Sequence, residues 1–252
     1  MMGSCTNPFR KRRTVMGSPR CWTAWLPLVG VGLFVAAYFY AASLYPGGTQ
    51  FDLYTVGYHH LANYWCDLLS GISYSGAVNP GRPVAIAATV ILPLSLIPLW
   101  VEIPRLFGRG SRLRRLSQVT GCISMLATAL VFTPLHDAVI HVGSVTALCA
   151  LLAIEAGLAR AGRTELCWLG VVAAGAGVAN YVMWSGGLLT WAMPGVQKAA
   201  GLALFVWVVL LVRAVVREHT RCRLGTSEAE TTIIPEEREC DTYSVPDRRG
   251  CP

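Results

Sequence analysis

The chain has 252 residues, of which 54% are hydrophobic and 14% are charged, and its formal net charge is +7. Soluble globular domains carry about 25% charged residues, so this composition argues against a water-soluble core. The basic residues form short clusters beside apolar runs, without interleaved aromatic residues, and this pattern argues against a nucleic-acid partner.

Long apolar stretches dominate the chain. A membrane-spanning helix needs about 20 predominantly apolar residues, because the hydrocarbon core is about 30 Å thick and each residue rises about 1.5 Å. Six stretches approach this requirement: 22–44, 84–107, 117–135, 138–159, 166–189 and 196–216. The sequence therefore predicts an all-α, polytopic membrane protein with six transmembrane helices. The third and fourth should form a tight antiparallel hairpin, because only the TPLHD turn separates them.

The first stretch has two interpretations. A basic segment precedes it and the small residues Ala41, Ala42 and Ser43 follow, as in a cleaved signal peptide. Its apolar run exceeds the usual length of about 7 to 15 residues, which favours a retained membrane anchor. The predicted organisation is a basic cytoplasmic N-terminus at 1–21, a six-helix domain at 22–217, and a cytoplasmic tail at 218–252 that is too polar to fold.

A long connection at 45–83, the outer loop, joins the first two predicted spans. Its middle reads FDLYTVGYHHLANYWCDLL, in which His59, Asn63 and Asp67 recur every four residues. On a helix this spacing forms one polar stripe, so the sequence predicts an amphipathic helix packed on the bundle. The following NPGRP segment reads as a turn that begins the second span, where a proline costs little.

The arginines predict the orientation of the chain in the membrane. Cytoplasmic loops are enriched in Lys and Arg, and six spans place the clusters at 10–20, 105–115, 160–163 and 213–223 on one side. The opposite side then keeps only Arg82 and Lys198. The sequence predicts a protein of the inner (cytoplasmic) membrane, with both termini in the cytoplasm and the outer loop outside.

Two further patterns concern packing. Glu102, Glu155 and Glu165 each lie close in sequence to an arginine near a predicted cytoplasmic helix end, which indicates interfacial ion pairs and not a proton relay. The run VVAAGAGVAN in the fifth span contains Gly175 and Gly177, which predict a close contact with another helix.

Histidines and aspartates gather on the predicted outer side. One hypothesis is a single catalytic site in a metal-dependent hydrolase or transferase acting on a lipid-like substrate, with zinc as the candidate ion and Asp137 orienting a histidine. The alternative is that these groups cap helices and hold the hairpin in register. The candidate residues are His59, His60, Asp67, His136, Asp137 and His141.

A second hypothesis is binding of a membrane lipid or a small amphipathic molecule. Arg82 and Lys198 would hold a phosphate or carboxylate head group, while aromatic residues line an apolar slot. The alternative is that the aromatics form an interfacial belt and the cations extend towards the membrane surface. The further polar candidates are Asn63, Asn79 and Asn180, and the aromatics are Tyr64, Trp65, Tyr181 and Trp184.

Five short motifs carry a resemblance to known proteins. They are NYWCDL at 63–68, NPGRP at 79–83, FTPLHDAVIH at 132–141, NYVMW at 180–184 and PGVQK at 194–198. With them the sequence resembles six-helix bacterial membrane proteins distantly similar to the DRAM/Sfk-type group, which implies the architecture and no particular activity. It is also similar to membrane hydrolases of the alkaline ceramidase type, although here the histidines form an adjacent pair and one hairpin.

Overall fold

The computed structural model describes residues 21–107 and 112–231. The predicted N-terminal segment up to residue 20 and the predicted tail beyond 231 lie outside the described residues. The described chain is all-α, as predicted. Its helices are α1 (Leu26–Ser43), α2 (Arg82–Glu102), α3 (Arg112–Thr128), α4 (His136–Arg160), α5 (Thr164–Gly186) and α6 (Met193–Thr231), with short 3₁₀ helices at Cys21–Trp25, Trp65–Leu69 and Ile103–Leu106.

Prolines begin three of the described α-helices and interrupt none. The first turns of α1, α2 and α6 each contain a proline, where the missing N–H has no partner in a helix anyway. The helix α2 also contains Pro93 and Pro98 in its interior. Such prolines are tolerated in membrane helices because neighbouring helices and hydroxyl side chains compensate for the freed backbone groups. Between these two prolines, the Ser95 hydroxyl donates a hydrogen bond of 2.6 Å to the Leu92 carbonyl.

The six helices form a closed ring. Each packs against the next in the chain, and α6 contacts α1. The connections at 44–81, 129–135 and 187–192 consequently lie at one end of the bundle, the loop end. The described segments 103–107 and 161–163 lie at the other, which we call the arginine end because Arg105, Arg160 and Arg163 lie there.

Five helical segments are long and apolar enough to cross a membrane: Thr23–Ser43, Arg82–Leu106, His136–Arg160, Thr164–Gly186 and Met193–Glu218. By helix length and hydropathy the chain is a multi-pass membrane protein. The remaining helix, α3, has 17 residues and begins with an arginine-rich turn. It ends at Thr128 because residues 129–135 form turns, so the predicted third span at 117–135 is shorter than expected.

The predicted hairpin of the third and fourth helices is confirmed. The Ser124 hydroxyl of α3 donates a hydrogen bond of 2.9 Å to the Gly143 carbonyl of α4. The two helices make the most extensive contact in the bundle. The last helix departs from the prediction, because α6 continues to Thr231, beyond the predicted end of its span at 216.

The apolar core fills the half of the bundle nearer the arginine end. Trp100 of α2, Ile154 of α4 and Leu211 of α6 are among its buried members. Trp207 of α6 is 2% exposed, and its indole N–H donates a hydrogen bond of 2.9 Å to the Leu166 carbonyl of α5. A smaller apolar cluster joins α1, α2 and the outer loop at the other end.

The predicted helix contact of the fifth span occurs elsewhere. A Cβ atom added at Gly175 or Gly177 would meet nothing within 4 Å. The close approach is at Gly170, where a Cβ would lie 1.7 Å from Oε1 of Glu155 and 2.8 Å from the Trp207 ring. The sequence thus predicted a close helix contact of the fifth span, but the contact is made at Gly170 and not at Gly175 or Gly177.

The glutamates divide into three cases. Glu102 forms the expected ion pair with Arg105, at 2.7 Å. Glu155 is 9% exposed and has no ion pair within the described ranges, contrary to the prediction. Arg163 does not pair with Glu165 and instead forms an ion pair of 3.1 Å with Glu218 of α6.

Candidate functional site

The outer loop is a chain of turns and not the predicted amphipathic helix. Between α1 and α2 the described residues contain only the 3₁₀ helix Trp65–Leu69. Two backbone conformations inside the predicted segment explain the difference: Gly57 has a φ of +69°, and Tyr64, between Asn63 and Asp67, is extended with a ψ of 159°. These values lie outside the right-handed helical region, so a continuous helix cannot form there.

One helical turn does survive around Asn63. Its backbone N–H donates to the His59 carbonyl at 2.9 Å, and its side-chain oxygen accepts the His59 N–H at 2.9 Å. The amide nitrogen of the side chain donates to the Gly48 carbonyl at 2.9 Å and to Oδ2 of Asp67 at 3.1 Å. Asn63 is completely buried and therefore holds three parts of the loop together.

Asp67 is the buried acid of this network. Its Oδ2 also accepts the Tyr64 N–H at 2.8 Å. Burial raises the pKa of the Asp67 carboxyl, and hydrogen bonds from Asn63 and Tyr64 together with the positive charge of Lys198 counteract part of that rise. Burial raises the pKa of the neighbouring Cys66 thiol to about 11. Burial therefore favours the neutral forms of the Asp67 carboxyl and the Cys66 thiol, compared with the same groups at a protein surface.

Hydrogen bonds attach the loop to the last helix and the turn before it. The Tyr64 hydroxyl donates to the Thr190 carbonyl at 3.1 Å, and the Trp65 N–H donates to Oε1 of Gln197 at 2.9 Å. The ammonium group of Lys198 donates to the Asn63 carbonyl and lies 5.6 Å from the centre of the Tyr58 ring. Lys198 therefore supports the loop.

Two more predicted ligand-binding residues also support the loop. Nε of Arg82 donates to the Leu69 carbonyl at 3.0 Å. The side-chain amide of Asn79 donates to the Leu68 and Ser70 carbonyls, each at 3.0 Å. Neither residue lines the cavity below.

Beneath the loop lies a cavity of about 400 Å³, the loop-end cavity. The outer loop forms its roof, and α4, α5 and α6 form its walls. Its lining residues are Gln50, Tyr64, Cys66 and Asp67 from the loop, His136, Ile140 and Ser144 from α4, Gly177, Asn180, Tyr181 and Trp184 from α5, Thr190 from the turn, and Met193 and Gln197 from α6.

The α4 histidines lie in or beside this cavity. His136 lines it and its Nδ1 lies 3.0 Å from Oδ1 of Asp137, which is exposed. His141 shares a hydrogen bond of 2.7 Å with the Tyr181 hydroxyl, and its ring lies 5.3 Å from that of Trp184. Of the six candidates for the catalytic site, the cavity thus brings together Asp67 and His136, with Asp137 and His141 one contact away.

The histidine pair of the loop lies elsewhere. His59 and His60 are exposed, and the His60 ring packs against the rings of Tyr58 and Phe39 at 5.2 and 5.6 Å. Within 21–107 and 112–231, no three His, Cys, Asp or Glu side chains are grouped so that they could hold a metal ion. The hypothesis of one zinc site shared by all six candidates therefore lacks a ligand set.

Sequence reasoning found Asn180 and Tyr181 as part of the pocket but missed Gln50, Ser144 and Gly177. Ser144 carried a usable signal, since a hydroxyl on an otherwise apolar stretch of helix indicates a partner or a cavity. Gly177 had been assigned to a helix contact.

Comparison of the chain with protein-family models, with curated proteins and with solved structures found no match. The resemblance to the DRAM/Sfk-type group accordingly stays a prediction.

Proposed function

We propose that this multi-pass membrane protein binds a small amphipathic molecule in its loop-end cavity. The observation that carries the proposal is that polar and apolar side chains converge on one cavity from five parts of the chain, the outer loop, three helices and the turn before α6. Ligand cavities are typically about 300–1,000 Å³, mostly apolar, with a few placed polar groups. A volume of about 400 Å³ lies in that range.

The polar lining favours an uncharged or cationic head group. Asp67, Asn180 and Gln197 supply a carboxyl and two amides. No lysine or arginine lines this cavity in the part of the chain that the structure describes. Arg82 and Lys198, the cations expected to hold an anion, are engaged by loop carbonyls. An amine or hydroxyl head is thus better matched than a phosphate or carboxylate.

The apolar lining suits a short hydrocarbon tail. Ile140, Trp184 and Met193 face the same cavity from three different helices. An apolar tail buried against them gains about 25 cal/mol for each Å² removed from water. Such a ligand would orient with its head towards the loop roof and its tail towards the bundle.

The proposal includes an orientation. The loop end faces the outside of the inner membrane, and both termini face the cytoplasm, because the arginine clusters within the described residues lie at the opposite end of the bundle. Residues at that end include Arg105, Arg163 and Arg213, in agreement with the bias of cytoplasmic segments towards positive charge. This orientation makes the cavity accessible from the outer leaflet.

Two glycines of α5 give a matched pair of variants. Gly177→Leu places a side chain in the cavity, whereas Gly175→Leu places the same side chain outside it, and neither Cβ meets an atom within 4 Å. The probes are octylamine, octanol and octyl phosphate, and the measurement is the shift in thermal unfolding of the purified full chain in detergent. Octylamine and octanol should stabilise the wild type and Gly175→Leu, and Gly177→Leu should lose that stabilisation.

Two outcomes would overturn the proposal. Equal stabilisation of both glycine variants would place the binding outside the cavity. Stabilisation by octyl phosphate alone would contradict the head-group assignment. An unchanged unfolding temperature of Gly177→Leu without probe would show that the variant folds.

A further inference from the structure

A second cavity of about 400 Å³ lies at the arginine end of the bundle, the arginine-end cavity. The turn between α4 and α5, the start of α5 and the middle of α6 form its walls. Three arginines line it: Arg163 from the turn, and Arg213 and Arg217 from α6. Nothing in the proposed function of the loop-end cavity uses these groups.

The charges of this cavity are unequally paired. Arg163 forms an ion pair of 3.1 Å with Glu218. Arg213 and Arg217 are exposed, and neither forms an ion pair within 112–231 or 21–107. They stand four residues apart on α6, so their guanidinium groups project from the same face of the helix. Two neighbouring guanidinium groups with several N–H donors each match the oxygens of a phosphate.

The carboxylate of Glu165 disfavours an anion in this cavity. Glu165 also lines the cavity and has no ion pair among the described residues. The lining therefore carries three guanidinium groups against two carboxylates, and the excess positive charge lies on α6. An anion bound at Arg213 and Arg217 would be weakened by Glu165, because like charges repel.

Apolar walls and position in the bundle favour a lipid over a free phosphate. Leu166, Leu210 and Ala214 line the same cavity. The cavity lies at the ends of two candidate membrane spans, Thr164–Gly186 and Met193–Glu218. Lipid phosphates lie at this depth, and basic pockets between membrane helices are suited to their head groups. Trp168, two residues after Leu166 on α5, is 71% exposed and can contact lipid acyl chains.

We propose that the arginine-end cavity binds the phosphate of an anionic membrane phospholipid through Arg213 and Arg217. The phosphate takes the two free guanidinium groups, while Leu166 and Leu210 contact the start of the acyl chains. The Arg163–Glu218 ion pair holds the turn against α6 and so fixes the far wall.

The test measures lipid retention by the purified full chain. The chain is reconstituted with phosphatidylglycerol, and retained lipid is counted by native mass spectrometry, with inorganic phosphate added as competitor. Replacing Arg213 and Arg217 by Gln should lower retention several-fold. The matched control replaces Arg114 and Arg115 by Gln, which removes the same charge from the same end but outside this cavity, and should leave retention near the wild-type value.

Three results bear on the proposal in different ways. Glu165→Gln should raise retention, because it removes the opposing charge and leaves the arginines intact, and a loss of retention would overturn the proposal. Equal losses in the two double variants would show that only the overall charge matters. Complete displacement by inorganic phosphate at low millimolar concentration would identify a free-anion site in place of a lipid site.

Discussion

The two halves of the bundle are stabilised in different ways. Near the arginine end the helices pack through large apolar side chains, with Trp207, Leu211 and Ile154 almost inaccessible to solvent. Near the loop end, buried hydrogen bonds around Asn63 and Asp67 hold the roof, and a cavity replaces the packed core. The loop-end cavity therefore lies beneath a hydrogen-bonded roof, whereas the arginine-end cavity lies beside a closely packed apolar core.

Glycines show the same contrast. In the packed half, Gly157 and Gly170 let neighbouring side chains approach so closely that a Cβ would meet them at 2.7 and 1.7 Å. In the other half, Gly177 faces open space in the cavity. Glycine thus permits close contact at Gly157 and Gly170 and leaves open volume at Gly177.

The largest expected effect concerns the side of the membrane that each half faces. In a cysteine-free background, Tyr54→Cys at the loop end and Ala161→Cys at the arginine end are exposed to a membrane-impermeant maleimide on intact cells. Both positions are exposed, Tyr54 by 92%. Tyr54→Cys should label completely and Ala161→Cys only after permeabilisation. The reverse labelling pattern would show that the loop end faces the cytoplasm. Labelling of both cysteines on intact cells would show that the two ends of the bundle do not lie on opposite sides of the membrane.

The next prediction tests the roof of the cavity through two glycines with positive φ. Alanine at Gly48 or Gly57 costs about 1–3 kcal/mol of backbone strain. Gly48→Ala should destabilise more, because its Cβ would lie 2.4 Å from the Ser75 nitrogen, whereas a Cβ at Gly57 meets nothing within 4 Å. Limited proteolysis of the loop and thermal unfolding measure the difference. Equal loss in the two variants would show that the approach of Gly48 to residues 74–75 does not stabilise the loop.

The smallest expected effect is a pH dependence with opposite signs at two aspartates. The pKa of Asp67 is raised by burial, so the stability that its protonation contributes is full below the unfolded-state pKa and is lost as pH rises through the folded-state pKa. The pKa of Asp52 is lowered by hydrogen bonds from the Tyr54 N–H and the Thr55 hydroxyl. Its contribution is present above the unfolded-state pKa and is lost as pH falls through the folded-state value.

Unfolding temperatures of Asp67→Asn and Asp52→Asn, measured from about pH 2.5 to about pH 8 so that the range extends below the ordinary aspartate pKa of about 3.9, separate these contributions. Subtracting each variant from the wild type should give a difference that falls with increasing pH for Asp67 and rises for Asp52. Parallel differences would mean that the Asp67 carboxyl is not held in the buried network.

Hydropathy predicted the helices and their order, because the membrane requires long apolar segments whatever their partners are. It did not predict the conformation of the outer loop, since the spacing of His59, Asn63 and Asp67 fits both a helix and a single turn. The extended backbone of Tyr64, between Asn63 and Asp67, distinguishes them. Tyr64 and the next residue, Trp65, form hydrogen bonds with Thr190 and Gln197, which are far away in the sequence.

The cavity-facing side of α5 was equally hidden from the sequence. This helix is apolar around most of its circumference, so no polar stripe marks the face that meets the cavity. Asn180 and Tyr181 could be singled out as polar groups, but Gly177 could not be assigned to the cavity without its neighbours. The site is therefore formed by tertiary packing that local patterns do not encode.

Because α6 is one continuous helix, it fixes the distance between the two cavities. Gln197 faces one cavity and Arg213 the other, and sixteen helical residues at about 1.5 Å each separate them by about 24 Å. A head group that contacts Arg213 is thus too far away to reach Gln197, and a short-chain ligand beneath the roof cannot extend to the arginines. If both cavities bind the proposed ligands, a molecule that competes at one cavity should leave binding at the other unchanged.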